Sequence, residues 1–225
     1  SVIQPVMLSA VSRVQDDTDR VRRLMRRALK TSTFIVAPSM CAFALVAPIL
    51  VPALLGPQWA SAVPFLRVYC LAYALLPIHT TNLQVLNGMG RSDIFLGLEV
   101  IKVAIGLFAL VVAVCCFRNI YAIVLAAALS NMICTFINAF PNKRVVGYPY
   151  LRQLRDIAPA FGLAALATAA AWPLGSCALG AAGTVALQLL AFSATYLLMA
   201  WLLRVEELSY LLRVAQQAMG GREDS

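Results

Sequence analysis

The sequence has few charged residues, and almost none of them lie inside its long apolar runs. Charged residues make up 12% of the 225 residues and hydrophobic residues 61%, whereas about a quarter of an ordinary soluble domain is charged. Only ten residues are Asp or Glu, and only one is His. This composition excludes an ordinary soluble domain and leaves few groups for acid–base chemistry.

Catalytic and metal-binding motifs are also missing from the sequence. It contains no nucleophile elbow, no phosphate-binding Gly-Lys-Ser/Thr loop and no paired carboxylates in a polar loop. We therefore expect a protein that is not an enzyme, with neither a cofactor nor a metal. The six cysteines have no metal-type spacing with the histidine, and we expect buried free thiols at all of them: Cys41, Cys70, Cys115, Cys116, Cys134 and Cys177.

Long uncharged runs dominate what is present. Each is wide enough for the roughly 20 residues of helix that cross a bilayer, so the sequence predicts an all-α, polytopic integral membrane bundle. Proline and glycine clusters separate the runs at turns. We predict six full transmembrane helices, over residues 31–55, 60–88, 93–117, 119–140, 158–175 and 182–203.

Three further segments have helical patterns. Residues 1–12 are apolar but too short to span, so we expect the end of a seventh helix whose beginning is missing and hence a piece of a longer protein. In residues 18–30, Val21, Met25 and Leu29 share one face with cations around it, which predicts an interfacial amphipathic helix. The tail from Arg204 predicts a second interfacial helix, with a disordered tip over residues 220–225.

The basic residues lie in alternate gaps between the spans. Arg118 is the single basic residue of one set of gaps. The positive-inside rule therefore places the basic set in the cytoplasm, with the C-terminus. That set comprises Arg13, Arg20, Arg22, Arg23, Arg26, Arg27, Lys30, Arg91, Lys143, Arg144, Arg152, Arg155, Arg204, Arg213 and Arg222.

The formal net charge of +8 has a consequence for partners. Because the cations border apolar spans, anionic phospholipids are the expected partner and nucleic acid is not.

Five short motifs, in this order, resemble the Wzx-type bacterial polysaccharide transporters of the multidrug/oligosaccharidyl-lipid/polysaccharide flippase superfamily. A Pro-x-x-x-Ser precedes the Arg-rich helix, Leu-Leu-Gly-Pro-Gln-Trp closes the first full span, and Asn-Gly-x-Gly-Arg-Ser-Asp opens the third. Lys-Arg-x-x-Gly-Tyr then precedes Leu-x-Asp-Ile-x-Pro. The motifs occupy residues 5–9, 54–59, 87–93, 143–148 and 154–159.

The resemblance covers essentially the whole chain and implies the C-terminal half of a two-lobed transporter. Residues 1–140 would form part of the C-terminal lobe, and residues 141–225 would add two further transmembrane helices and a cytoplasmic tail. The implied cargo is a polyprenyl-pyrophosphate-linked oligosaccharide, flipped across the bacterial inner membrane for lipopolysaccharide, capsule or exopolysaccharide synthesis.

The implied partners are the missing N-terminal lobe and other polysaccharide assembly proteins. Two alternatives stay open: a multidrug or small-molecule exporter of the same superfamily, and a non-transporting membrane partner of polysaccharide assembly.

Polar groups within the spans are the candidate substrate-binding residues, because an anionic headgroup needs cationic or polar groups around it in the membrane. Lys102 and Glu99 can form a self-neutralising pair, and Lys102 or Arg67 can extend to the headgroups. His79 can be a proton relay or a packed side chain. The candidates are Lys102, Glu99, Arg67, His79, Asn82 and Asn131.

Overall fold

The structure, a computed structural model, describes residues 3–177 and 179–220. In these residues all regular structure is helical. Arg222 and the predicted disordered tip beyond Gly220 lie outside the described residues. The α-helices are α1 (Ile3–Ser12), α2 (Thr18–Leu55), α3 (Val63–Tyr73), α4 (Leu76–Gly88), α5 (Ser92–Val112), α6 (Ile120–Ala139), α7 (Asn142–Val145), α8 (Tyr150–Ala171), α9 (Gly180–Leu202) and α10 (Glu206–Gly220).

Within the described residues, six helical segments are long and apolar enough to cross a membrane, which confirms the predicted all-α bundle with six spans. Short 3₁₀ or π turns lengthen three of them. We call the end of the bundle with residues 13–17, 89–91, 140–149 and 203–205 the basic end, and the other end the neutral end. The spans are Thr18–Leu55, Pro57–Gly88, Ser92–Phe117, Ile120–Val145, Tyr150–Ser176 and Gly180–Leu202.

The predicted interfacial helix at residues 18–30 is instead the first part of α2. Asp17 caps the helix by accepting a hydrogen bond from the backbone of Arg20 at 2.9 Å. No glycine or proline follows before Pro38, so the helix continues directly into the apolar span. Its 38 residues measure about 57 Å at 1.5 Å per residue. Because this length exceeds a hydrocarbon core of about 30 Å, α2 can cross the membrane and extend beyond it.

The apolar face of that extension packs against protein. Val21, Met25 and Leu29 are fully buried in a cluster with Ile78 of α4 and Ile157 of α8. The expectation that this face lies on the membrane surface is therefore wrong. Only the cationic side of the extension remains available to headgroups or solvent.

A buried carboxylate joins this extension to the start of α8. Nε of Arg26 donates to Oδ2 of Asp156 at 2.8 Å, and Nη2 of Arg26 donates to Oδ1 at 2.7 Å. The Tyr148 hydroxyl donates to the same carboxylate at 2.6 Å. Burial, reinforced by this hydrogen bond, raises the pKa of Tyr148. Residues 151–157, which precede the predicted span at 158–175, are accordingly the first turns of α8.

The second span is broken in its middle. α3 ends at Tyr73 and α4 begins at Leu76, with Pro77 in its first turn. Proline lacks a backbone N–H and clashes with the preceding turn, so the helix cannot pass through unchanged. The polar second half of this span becomes a separate helix that packs against α1, α2 and α6.

Small side chains bring α8 close to α2 and α9. Ala160, Ala164, Ala167 and Ala171 recur at helical spacing and are buried. Lipid supplies no hydrophobic driving force between helices, so close packing of small residues is a main source of association in membranes. α8 and α9, predicted as two additional helices, thus pack directly against α2. The division of the chain at residue 140 stays a prediction.

Two prolines of α2 free backbone carbonyls that other helices then satisfy. Pro38 cannot donate to the Phe34 carbonyl, and the Tyr196 hydroxyl of α9 donates to that oxygen at 2.9 Å. Pro48 cannot donate to the Ala44 carbonyl, and Nε of Arg67 donates to it at 3.0 Å. In a membrane, an unsatisfied carbonyl costs several kcal/mol, so these two bonds permit a proline-containing helix at the centre of the bundle.

We predict that Tyr196→Phe lowers the free energy of unfolding by about 0.5–1.5 kcal/mol, because the Phe34 carbonyl loses its donor. Unfolding of the purified chain in mixed micelles measures the change. In a Pro38→Ala background the loss should be smaller, since the substituted alanine can supply a backbone N–H.

Tyr69→Phe is the control, because it removes the hydroxyl of another tyrosine in a span, one that is half-buried. If Tyr196→Phe lowers the free energy of unfolding equally in the unmodified protein and in the Pro38→Ala background, the Tyr196 hydroxyl does not serve as the replacement donor for the Phe34 carbonyl.

Candidate functional site

An ion pair lies in the middle of α5. Nζ of Lys102 is 2.5 Å from Oε1 of Glu99, one helical turn away. The Lys102 side chain is only 9% exposed, whereas that of Glu99 is 39% exposed. The ammonium is thus enclosed by protein and masked by a more accessible carboxylate, and the pair has no net charge.

His79 of α4 and Asn138 of α6 lie beside this pair. Nδ2 of Asn138 is placed to donate to Nδ1 of His79 at 2.7 Å, which puts the ring proton on Nε2. The charges of both Lys102 and Glu99 act on the imidazole. Four polar side chains from three helices therefore lie near one another in the span region, and among the described residues no hydrogen bond joins the two pairs. We call them the polar cluster: Glu99, Lys102, His79 and Asn138.

The cluster combines groups that can bind an anion. The Lys102 ammonium has three donor protons, and the described contacts use one of them on Glu99. Among the described residues, Oδ1 of Asn138 is buried without a hydrogen-bond partner. A ligand with an anionic oxygen and a hydroxyl group would fit both residues. The anionic oxygen would accept hydrogen bonds from the Lys102 ammonium, and the hydroxyl would donate to Oδ1 of Asn138.

Asn131 lies on the same side of α6, two turns before Asn138, and is half-buried. Its backbone carbonyl accepts a hydrogen bond from the Thr135 hydroxyl at 2.9 Å. In the described part of the chain, no hydrogen bond joins its side chain to the four-residue cluster. Asn131 thus extends the polar face of α6 towards the neutral end.

Asn82 has a different environment from the other candidates. Its side chain is fully buried and exchanges two hydrogen bonds with the Gln153 amide, at 2.7 and 3.0 Å. Nδ2 of Asn142 also donates to the Asn82 side-chain oxygen, at 2.8 Å. These bonds join α4, α7 and α8, so the structure gives Asn82 a packing role between helices.

Arg67 lies away from the cluster, near the neutral end. Besides its bond to the α2 backbone, its guanidinium is 5.2 Å from the centre of the Trp172 ring. Both residues line a cavity of about 320 Å³ together with Gln188, whose Oε1 is buried without a partner among the described residues. Arg67 contacts a carbonyl and an aromatic ring here, two surroundings that the sequence does not reveal.

Asn138 was not among the predicted site residues, although its spacing from Asn131 is a usable signal. Gln153 and Asn142 carried no signal in the sequence, because they stand next to basic residues outside the predicted spans. Their role depends on a long-range contact with Asn82.

Comparison with known proteins gives one family and two curated relatives. A family model described as "Polysaccharide biosynthesis protein" matches residues 1–64. An "Uncharacterized membrane protein in cps region" of Klebsiella pneumoniae is 25% identical over 138 residues, which cover 61% of this chain and 27% of that protein. "Lipopolysaccharide biosynthesis protein WzxC" of Escherichia coli (strain K12) is 26% identical over 157 residues, covering 69% of this chain and 32% of that protein.

The chain spans about a third of the length of these curated relatives. No solved structure gives a significant match. The family match and the two relatives agree with the six apolar helices. They confirm that this multi-pass membrane protein resembles polysaccharide biosynthesis proteins, and in particular polysaccharide transporters of the Wzx type.

Proposed function

We propose that this chain is part of a flippase that exports lipid-linked oligosaccharide units across the bacterial inner membrane for surface polysaccharide synthesis. The similarity to a lipopolysaccharide biosynthesis protein supports the cargo class. The observation that carries the proposal is the Glu99–Lys102 pair within a span. An ionised pair inside a membrane is costly and is a functional-site hypothesis by default.

In this proposal Glu99 masks Lys102 until the anionic pyrophosphate arrives. A phosphate oxygen then takes the place of the Glu99 carboxylate on the ammonium, so a cation is exposed only to its ligand. Lysine suits this role, because its ammonium is a compact charge with three donors and binds phosphate without a fixed geometry.

His79 and Asn138 supply the neutral part of the same site. Nε2–H of His79 can donate to a sugar hydroxyl or a phosphate oxygen, and the unmet Oδ1 of Asn138 can accept from a hydroxyl. The site therefore favours a ligand that combines negative charge with hydroxyl groups over an apolar cation.

The remainder of the parent protein completes the transport path in this proposal. α5 and α6 expose many large apolar side chains, among them Leu107, Phe108 and Phe136. Lipid or the other lobe can cover this surface. Transport then belongs to the parent protein, with this chain as the part that binds one side of the cargo.

Deletion of the parent gene should leave carrier-linked oligosaccharides in the inner leaflet, because their pyrophosphate cannot cross hydrocarbon unaided. Extraction and mass spectrometry of polyprenyl-linked sugars, with and without the gene on a plasmid, measures the accumulation. Normal surface polysaccharide in the deletion strain contradicts the proposal. Loss of drug resistance with normal polysaccharide would identify a small-molecule exporter.

Lys102→Ala in the parent protein should reduce polysaccharide export at least tenfold at unchanged membrane abundance, because the phosphate loses its cation. Lys102→Arg should retain a larger share of export than Lys102→Ala. Surface polysaccharide per unit of transporter measures the effect.

Lys143→Ala is the matched control, because it removes an exposed lysine at the basic end. Full export by Lys102→Ala would show that the pair only neutralises itself.

The proposed orientation, with the basic end in the cytoplasm, can be tested with native thiols. Cys115 and Cys116 are exposed in the π turn at the neutral end, so the expectation of burial is wrong for these two. We predict that a membrane-impermeant maleimide labels them in intact cells, and that Cys115→Ser/Cys116→Ser removes most of the signal, leaving at most that of the half-buried Cys177 at the same end.

A thiol introduced by Ser92→Cys in the doubly substituted protein should react only after the cells are opened, since Ser92 lies at the basic end. Labelling of this introduced thiol in intact cells, without labelling of the native pair, would reverse the topology.

A further inference from the structure

A positively charged cavity lies at the basic end, between the extension of α2 and the start of α10. Arg204 has a left-handed backbone conformation with φ 50°, and the chain turns there so that α10 follows α9 closely. The cavity measures about 680 Å³. Six basic residues line it: Arg23, Arg26, Arg27, Lys30, Arg204 and Arg213.

Within the part of the chain that the structure describes, only some of this positive charge is neutralised. Arg26 is paired with Asp156. Lys30 is 2.6 Å from a carboxylate oxygen of Glu207 and 3.5 Å from one of Glu206. Each carboxylate of α10 can offset only one charge, so the described lining of the cavity keeps a net positive charge.

The remaining cations are arranged to bind an oxyanion. The Arg27 guanidinium lies 3.9 Å from the centre of the Tyr210 ring, a stacking contact that leaves its in-plane N–H groups available. Arg23, Arg204 and Arg213 are exposed at the cavity. Several guanidinium groups around one space favour phosphate, which accepts hydrogen bonds on each oxygen.

An apolar cavity of about 490 Å³ adjoins the charged one. The two share Lys30, Arg204, Glu206 and Glu207 in their walls. Beyond these residues the second cavity is lined by Asp156, which is paired with Arg26, and by apolar groups of α2, α8 and the α9–α10 turn. The apolar groups include Phe34, Pro159, Leu163, Leu166 and Leu203.

We infer that the two cavities together bind one anionic phospholipid, with its phosphate among the arginines and an acyl chain along the apolar cavity. The charge complements an anionic headgroup, and the adjoining apolar wall complements a lipid chain. The position of the site also agrees with a phospholipid. The site lies where α2 changes from charged to apolar sequence, and lipid headgroups lie at this depth of a membrane. This site is separate from the Glu99–Lys102 cluster and does not depend on transport.

The lipid would hold α10 against the bundle. Leu208 and Leu211 of α10 already pack on the cluster formed by α2, α8 and α9. A bound phosphate would bridge Arg23 of α2 to Arg213 of α10 and add a charge-assisted link between the two helices.

Native mass spectrometry of the purified parent protein tests the inference, with phosphatidylglycerol as the ligand and phosphatidylcholine as the neutral comparison. We expect Arg23→Gln/Arg204→Gln/Arg213→Gln to weaken phosphatidylglycerol binding at least tenfold, and more at low salt than at high salt. Leu166→Trp, which narrows the apolar cavity, should also weaken binding of this lipid.

The matched control is Arg13→Gln/Arg144→Gln/Arg155→Gln, which removes the same charge from exposed positions at the same end. Its binding should stay within about threefold of the unmodified protein. An equal loss in both triple variants would overturn the site in favour of general surface attraction.

Two competitors distinguish the source of the phosphate. If inorganic phosphate displaces phosphatidylglycerol at equal concentration, the site binds only an anion and the lipid assignment is wrong. If polyprenyl phosphate binds at least tenfold more tightly than phosphatidylglycerol and is lost in the arginine variant, the occupant is the carrier and the phospholipid assignment is overturned.

Discussion

The fold depends on satisfying the backbone of α2. This helix contacts α3, α4, α8 and α9, and it contains three prolines in its apolar part. Each proline removes a donor from the helical ladder, and lipid offers no replacement. Tyr196 and Arg67 supply two of the missing donors from α9 and α3. The carbonyls freed by these prolines thereby accept specific hydrogen bonds from other helices, and apolar side chains cannot form such bonds.

Polar side chains in the spans also need hydrogen-bond partners within the protein, and they obtain them in two ways. Asn82, Tyr196 and Arg67 have their hydrogen-bonding groups directed to other helices or to backbone. Glu99 and Lys102 instead pair within one helix, and among the described residues no hydrogen bond joins this pair to another helix. A ligand can therefore open this pair without breaking a hydrogen bond between helices.

The number and approximate limits of the spans could be predicted from sequence, because hydrophobic length is a local property. Burial of the apolar face of residues 18–30 could not be predicted from sequence, because it depends on contacts with α4 and α8. The site was predictable in part, since Lys102 and Glu99 are conspicuous as charges in an apolar run. A polar residue in a span indicates that it has a partner, but not whether the partner is a ligand, a side chain or a carbonyl. For Asn82 and Arg67 the hydrogen-bond partner is distant in sequence, so composition and residue spacing do not predict it.

The length of α2 has a mechanical consequence. One continuous helix runs from the arginine-lined cavity, through the middle of the bundle, to the neutral end. If it moves as a rod pivoting at its centre, a tilt of about 10° displaces each end by about 5 Å in opposite directions, given its length of about 57 Å. Binding at one membrane surface can then be transmitted as movement at the other surface.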